Sequence, residues 1–249
     1  LSDIYTITHP EDDIFFISDC HFHHDKDFVY KPRGYTSVTD SNEGIISKWN
    51  ETCTYDSVAF HLGDFVFGDP DGKKILNLFR RLKFHTLFLL PGNHTSGWRQ
   101  MYMTNKLKLY PYIAPEVDIF PLVTDFEGRR IVYVPNYIEL RVNRDTHMVL
   151  SHYPIGSWNC QNKGSIHLSG HCHSNYPLSN KNTGNGRQLD VGVESFGKPI
   201  SLTSVKDHIK NRSHGLVDHH GKKEGFASEF INGPEDSPYK DYNNDKKVL

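Results

Sequence analysis

Five short polar motifs recur in fixed order along this chain of 249 residues: Asp19-Cys20-His21, Gly63-Asp64, Gly92-Asn93-His94, Ser151-His152 and Gly170-His171-Cys172-His173. Nearly every one sits just after a short apolar run. That placement restricts the fold, because apolar runs of strand length end where the polar residues begin. The chain has to bring the ends of several strands to one place. One such motif alone is a polar loop residue or a helix N-cap. Five in series read as a metal site. Oxygen and imidazole donors together suit borderline and harder divalent ions such as Mn, Fe, Zn, Co or Ni, and the combination implies metal-assisted hydrolysis, with a phosphate ester as the expected substrate.

The apolar runs supply the framework. Ile14 to Ser18, Ser57 to Leu62 and Thr86 to Leu90 read as short buried strands. Between the first two, Thr39 to Thr52 carries Ile45, Ile46 and Trp49 at helical spacing, with Asp40 or Ser41 as its cap. Between the second and third, Asp71 to Leu82 repeats the pattern with Ile75, Leu78, Phe79 and Leu82. Strand and helix thus alternate, the mark of an α/β layered fold. The second half is richer in strand: Val117 to Val123, Arg130 to Val134, His147 to Ser151, Ile166 to Ser169 and Gln188 to Val193, with Gly128 turning the first pair and a helix from Ser204 to Ile209 closing the core. The expected architecture is two packed sheets with helices outside, a β-sandwich flanked by helices. Residues 1–209 form the domain. Residues 210–249 turn to Gly, Asn, Asp, Lys and His and read as a polar extension, in which His219 and His220 are a solvated pair.

Composition narrows the classes. With 37% hydrophobic and 12% aromatic residues, the chain has enough for one substantial core. A formal net charge of −2 provides no global basic field, so stable nucleic-acid binding is not indicated. No apolar run is long enough to span a bilayer and no secretory signal is present. Cys20, Cys53, Cys160 and Cys172 form no CxxC pair, which excludes a zinc ribbon and a thioredoxin motif. Reduced thiols in a cytoplasmic protein are the expectation. Alternation along extended chain turns Cys20 and Cys172 away from their neighbours' target.

In strand geometry residues i and i+2 share a face, so Asp19 and His21 can reach one ion together; His171 and His173 can do the same or split between two neighbouring ions. Sites in layered α/β folds gather outside the carboxyl ends of strands, where Asp19, Asp64, Asn93, His152 and the His171 pair all fall. The order DxH, GD, GNH, a lone His, then GHxH resembles the calcineurin-like metallophosphoesterase superfamily. The segments FISDCHFHH, SNEGIISKWN, AFHLGDFVFGDP, LPGNH, LSHYPIGSWN, SIHLSGHCHS and LDVGVESFGKPISL resemble its small bacterial and bacteriophage phosphoesterases over about Ile14 to Ile209. The resemblance implies a four-layer α/β/β/α fold and a two-metal centre. Asp19, His21 and His173 would hold one ion, Asn93, His152 and His171 the other, and Asp64 would bridge them. A water shared by the ions would be acidified and attack phosphorus in line. His94 would assist the leaving group.

Some residues depart from the family pattern. Thr95 stands where an acidic residue is common, and His23 where many relatives carry Gly. His23 and His24 are therefore candidates for substrate contact or for support of the ligands, and Arg33 for a bidentate phosphate clasp. The expected function is hydrolysis of a phosphodiester or phosphomonoester of a nucleotide or other small molecule. A metal-binding scaffold without activity and a single-strand nuclease are the alternatives. The complete ligand set argues against the scaffold, and the absence of GDxxDRG argues against a protein phosphatase. A closed structural zinc site fits poorly, because the donors are too many and include carboxylates.

Overall fold

The structure, a computed structural model, describes residues 4–68, 73–94, 122–175 and 187–212. Two mixed sheets lie at its centre. One has five strands in the order β1 (Ile4–Ile7), β7 (Tyr137–Val142), β8 (Thr146–Ser151), β9 (Ile166–Ser169) and β10 (Gln188–Asp190); its neighbours pair in parallel except β7 with β8. The other has six. Its parallel centre is β2 (Ile14–Ile17), β3 (Val58–His61), β4 (Thr86–Leu89) and β6 (Arg129–Tyr133), with β11 (Ile200–Ser201) antiparallel at one edge and β5 (Leu122–Phe126) at the other.

Every residue of β2, β3 and β4 is buried, which is why these strands read as unbroken apolar runs: parallel strands are covered on both faces. Alternate residues serve alternate cores. Phe15, Ile17, Ala59 and Leu87 pack against Ile45, Ile46 and Trp49 of α2 (Val38–Thr52) and Ile75, Leu78 and Phe79 of α3 (Lys73–Arg81). Ile14, Phe16, Val58 and Phe60 face Ile138, Leu140, Leu150 and Leu168 of the five-stranded sheet. Between β10 and β11 lies a single helical turn, α4 (Val193–Phe196). After β11, α5 (Leu202–Ile209) adds Leu202, Val205 and Ile209 to the second core. The expected two-sheet sandwich flanked by helices is what forms.

Local boundaries differ where short polar residues decide them. Helix α2 starts at Val38, and its cap is Ser37, whose hydroxyl accepts from Asp40 N at 3.1 Å. Asp40 reaches back to accept from Thr36 N at 2.8 Å, so the cap lies three residues before Asp40 and four before Ser41, the expected candidates. The strand expected over Gln188 to Val193 stops at Asp190, because Asp190 Oδ1 accepts from Gly192 N at 2.7 Å and turns the chain into α4. Strands β1 and β7 were not anticipated. Residues 117–121, 69–72 and 213–249, with His219, His220 and most of the polar extension, lie outside the described residues. All four cysteines are free, Cys20 and Cys53 buried. No helix among the described residues is long and apolar enough to cross a membrane.

One buried histidine is a pH liability of the fold itself. His167 on β9 is fully buried; its Nδ1–H donates to Val149 O at 3.1 Å and its Nε2 accepts from Ile155 N at 3.3 Å, which fixes the neutral ring. Burial pushes its pKa down to about 4. The unfolded chain binds this proton first as pH falls below the ordinary histidine value, so His167 withdraws stability between about pH 6.5 and 4 and none further below. At about 1.36 kcal/mol per pH unit that amounts to roughly 3 kcal/mol. His167→Gln should flatten the acid limb of a Tm-against-pH profile by this order. A limb of unchanged steepness would assign the loss to other groups.

Candidate metal centre

The centre is assembled at the carboxyl ends of parallel strands from both sheets. Asp19 and His21 follow β2, Asp64 follows β3 and Asn93 follows β4. From the five-stranded sheet, His152 follows β8, and His171 and His173 follow β9. Backbone bonds lock these loops together: Asp19 N donates to Gly63 O at 3.0 Å, His21 N to Asp64 O at 2.9 Å, and Gly170 N to His152 O at 3.0 Å.

The ligand pairs do not use strand geometry. Asp19, His21, Asp64, His171 and His173 all have left-handed backbone, with φ between +47° and +69°. The spacing i, i+2 does bring Asp19 and His21 together, but through a left-handed kink at each residue and not through pleat alternation. Such conformations cost of order 1–3 kcal/mol apiece in a non-glycine residue and cluster where function requires them. Close approach adds a second constraint. A methyl group on Gly170 would collide with Ser18 Oγ and Asp19 Oδ2, and one on Gly92 with Asp64 Oδ1. These glycines let one motif's backbone lie against another's carboxylate.

The resulting arrangement is a convergence of lone pairs. His152 Nδ1–H donates to Leu62 O at 2.9 Å, so its Nε2 carries a lone pair. That nitrogen stands 2.8 Å from Asn93 Oδ1 and 3.5 Å from Asp64 Oδ2. His171 Nδ1 is 2.9 Å from the same Asn93 oxygen. His21 Nε2 is 3.6 Å from Asp64 Oδ2. Asp19 Oδ2 accepts the His171 amide at 2.9 Å, while Asp19 Oδ1 and His21 Nε2 are buried with no hydrogen-bond partner. Donor atoms of Asp19, His21 and His173 all lie within 4.8 Å of one another, as do those of Asp19, Asp64 and His152. Two acceptors facing each other, and buried atoms left unsatisfied, are costly unless a cation lies between them. The donor set, imidazole with carboxylate and amide oxygen, fits divalent cations of the first transition row.

The electrostatics agree. Burial lifts the Asp19 carboxyl to about 7, against the lowering pull of His173 and with a further push from Asp64. Burial drives His21 far below the usual imidazole range, and His173 and Arg33 add to it. His152 is lowered, first by burial. Two carboxylates beside the neutral imidazoles of His21 and His152 constitute a buried, lone-pair-rich cradle.

Around these side chains stands a set that fixes their directions. His173 Nδ1 is 2.7 Å from Glu194 Oε1, and that hydrogen bond raises the His173 pKa. Burial pushes Glu194 up, but the bond from His173 and the Arg33 charge together hold it below the ordinary range. Arg33, with its side chain 3% exposed, sits 2.6 Å from Glu194 Oε1 and donates to Asp19 O at 2.8 Å and Cys20 O at 2.9 Å. Each of its three nitrogens is engaged within the protein, so these contacts make it a brace for the first motif and leave no free fork of the kind expected of a phosphate clasp. His24 Nδ1 lies 3.2 Å from His21 Nδ1, and the ring stacks on Phe67 at 3.8 Å. His23 is tied to Asn42 of α2, its N–H donating to Oδ1 at 3.0 Å. His94 donates its backbone N–H to Asp64 Oδ1 at 2.9 Å, and its ring stands 5.3 Å from that of His21. Thr95 lies outside the described residues. Glu194 and Asp190 were not singled out from the sequence. Asp190 Oδ2 accepts from Ser174 N at 3.1 Å and so clamps the GHCH loop. Both lie inside the segment LDVGVESFG, and their acidic side chains in an otherwise apolar strand end were the available signal.

The chain matches the calcineurin-like phosphoesterase family over residues 13–175 and belongs to it. It is 31% identical over 197 residues to an uncharacterized protein of Methanocaldococcus jannaschii, covering 77% of this chain and 88% of that protein. It is 24% identical over 217 residues to the Gene 66 protein of Mycobacterium phage D29, covering 82% and 98% respectively. A solved structure, the protein of unknown function AQ665 from Aquifex aeolicus, aligns with a TM-score of 0.45 at 18% identity, over 78% of this chain and 97% of that one.

Glu194→Gln tests the orienting arrangement. Supporting partners of metal-binding histidines are typically worth 10–100-fold in metal affinity. Titration of the metal-free protein with Mn or Zn should show a loss of that order with the fold intact by circular dichroism. Wild-type affinity would assign Glu194 to the Arg33 ion pair alone.

Proposed function

We propose that the chain is a hydrolase of phosphoesters that works with two divalent cations. Asp19, His21 and His173 would hold one, and Asn93, His152 and His171 the other, with Asp64 shared between them. The observation that carries this reading is the facing of lone pairs around Asp64 Oδ2 and Asn93 Oδ1, where His21 Nε2 and His152 Nε2 converge. Cations bound there would supply Lewis-acid charge to neutralise phosphoryl oxygens and bring the pKa of water toward neutrality.

The protein's own groups do the rest. Asp64 receives the His94 amide on one oxygen and points the other at two imidazoles, which fixes its orientation before any substrate arrives. His21 presents Nε2 inward when Nδ1 carries the proton, and His24 Nδ1 is placed to accept that proton's hydrogen bond. His173 is set in the same way by Glu194. His94 lines a pocket of about 520 Å³ together with His21, His24 and His173. In that position its ring hands a proton to the departing oxygen, a contribution typically worth ~10²–10⁴-fold. The alcohol leaves, and the phosphoryl product retains the oxygen of the attacking water.

Two substitutions separate these roles. Asp64→Asn should release most bound metal and abolish turnover; undiminished metal content would remove Asp64 from the shared position. His94→Gln should keep the metal and lose activity most on esters with poor leaving groups, because a good leaving group departs without a proton. Equal losses on alkyl and nitrophenyl esters would contradict a proton-donor role. Chelated protein resupplied with Mn, Fe, Co, Ni or Zn and offered mono- and diesters identifies the active cation.

A further inference from the structure

Among the described residues, Ile4, Phe28, Tyr55 and Tyr153 are the large hydrophobic side chains that are exposed, and two of them stand at the metal centre. Tyr153, 47% exposed, lies with its ring 4.5 Å from that of His171 and 5.1 Å from that of His152. Phe28 is 73% exposed. It sits on the short helix α1 (Asp27–Tyr30), whose Val29 and Tyr30 are buried, so the helix anchors itself and holds Phe28 outward. Its ring meets His24 edge-on at 6.0 Å. His24 in turn is 5.7 Å from His94, and Phe67 is 5.6 Å from His94. Aromatic surface therefore adjoins both halves of the centre: Tyr153 beside the Asn93–His152–His171 group, and Phe28 with His24 and Phe67 beside His21 and His94. Phe28, Val29 and Pro32 form the apolar wall of the 520 Å³ pocket and His94 and His173 part of its polar wall, a volume within the range of small-molecule sites.

We propose that the substrate is a phosphodiester bearing a planar aromatic group on each side of phosphorus. The inference rests on the phosphoesterase reading and names the substrate class of that same site. The departing ester group lies on the Phe28–His24–Phe67 surface, where His94 reaches its oxygen, and the retained group stacks on Tyr153. Water adds its oxygen to phosphorus as the P–O bond to the departing group breaks. One proton passes to the departing oxygen and the other to solvent, leaving a phosphomonoester and an alcohol or phenol. A monoester would use the first surface and leave Tyr153 without a ligand. Aromatic stacking of this kind typically strengthens binding by roughly tenfold per ring, so each platform should be visible in KM.

The test uses the metal-loaded full chain and three diesters that share a para-nitrophenol leaving group but retain methyl, para-nitrophenyl or thymidine, with para-nitrophenyl phosphate as the monoester. The wild type should bind the two aromatic-retaining diesters with KM roughly tenfold below that of the methyl diester. Tyr153→Ala should collapse that ratio toward one. Phe28→Ala should raise KM for all three diesters by similar factors and keep the ratio. A ratio near one in the wild type, or one that survives Tyr153→Ala, overturns the proposal. So does a Phe28→Ala variant with no change in any KM. An advantage for thymidine identifies a nucleobase as the retained group, and an advantage confined to nitrophenyl identifies an aryl ester. Turnover of none of the four by the metal-loaded protein would overturn the phosphoesterase reading and this inference with it. Turnover with equal KM values would sink this inference alone.

Discussion

Two carboxylates, Asp19 and Asp64, are carried into a pocket almost closed to water, and the surrounding structure is arranged around that fact. Burial disfavours the ionised form of Asp19, and the neighbouring Asp64 adds to that cost. The nearest guanidinium, Arg33, is bound to Glu194 and to backbone carbonyls at its edge. The imidazoles of His21 and His152 fill part of the remaining space, and burial presses their pKa values downward. The lining of the pocket thus suits divalent cations.

The two sheets divide the labour. The six-stranded sheet brings the carboxylates and Asn93 on the ends of β2, β3 and β4, and the five-stranded sheet brings His152, His171 and His173 on the ends of β8 and β9. The apolar sandwich between them sets the relation of the two groups. Left-handed residues then aim the side chains inward across the seam. The strain of those turns is offset by the rigid elements on either side, so little of it can relax.

Much of this was legible in the chain. The parallel strands announced themselves because burial on both faces leaves no polar alternation, and the motifs marked the ends that matter. What stayed hidden has physical reasons. Strand β7 was not singled out because Glu139 and Arg141 interrupt its apolar residues. In the fold Glu139 is buried against His147 at 3.0 Å and Asn159 at 2.9 Å, partners that local pattern cannot foresee. Arg33 looked like a free cation for the same reason, since the groups that occupy it come from Asp19, Cys20 and the distant Glu194. The DxH and HxH spacings gave the right neighbours but the wrong backbone, because sequence spacing does not distinguish a pleat from a pair of left-handed kinks.

The His171 amide and the Asp19 carboxylate that accepts it are 152 residues apart in the chain. No fragment that lacks either sheet can bring those two together, and the contact closes a long loop at an entropic cost. Cation capture is therefore a property of the finished molecule. A nascent or half-assembled polypeptide would expose isolated histidines and acids with little grip on any ion, and full-strength uptake would report that both halves had docked.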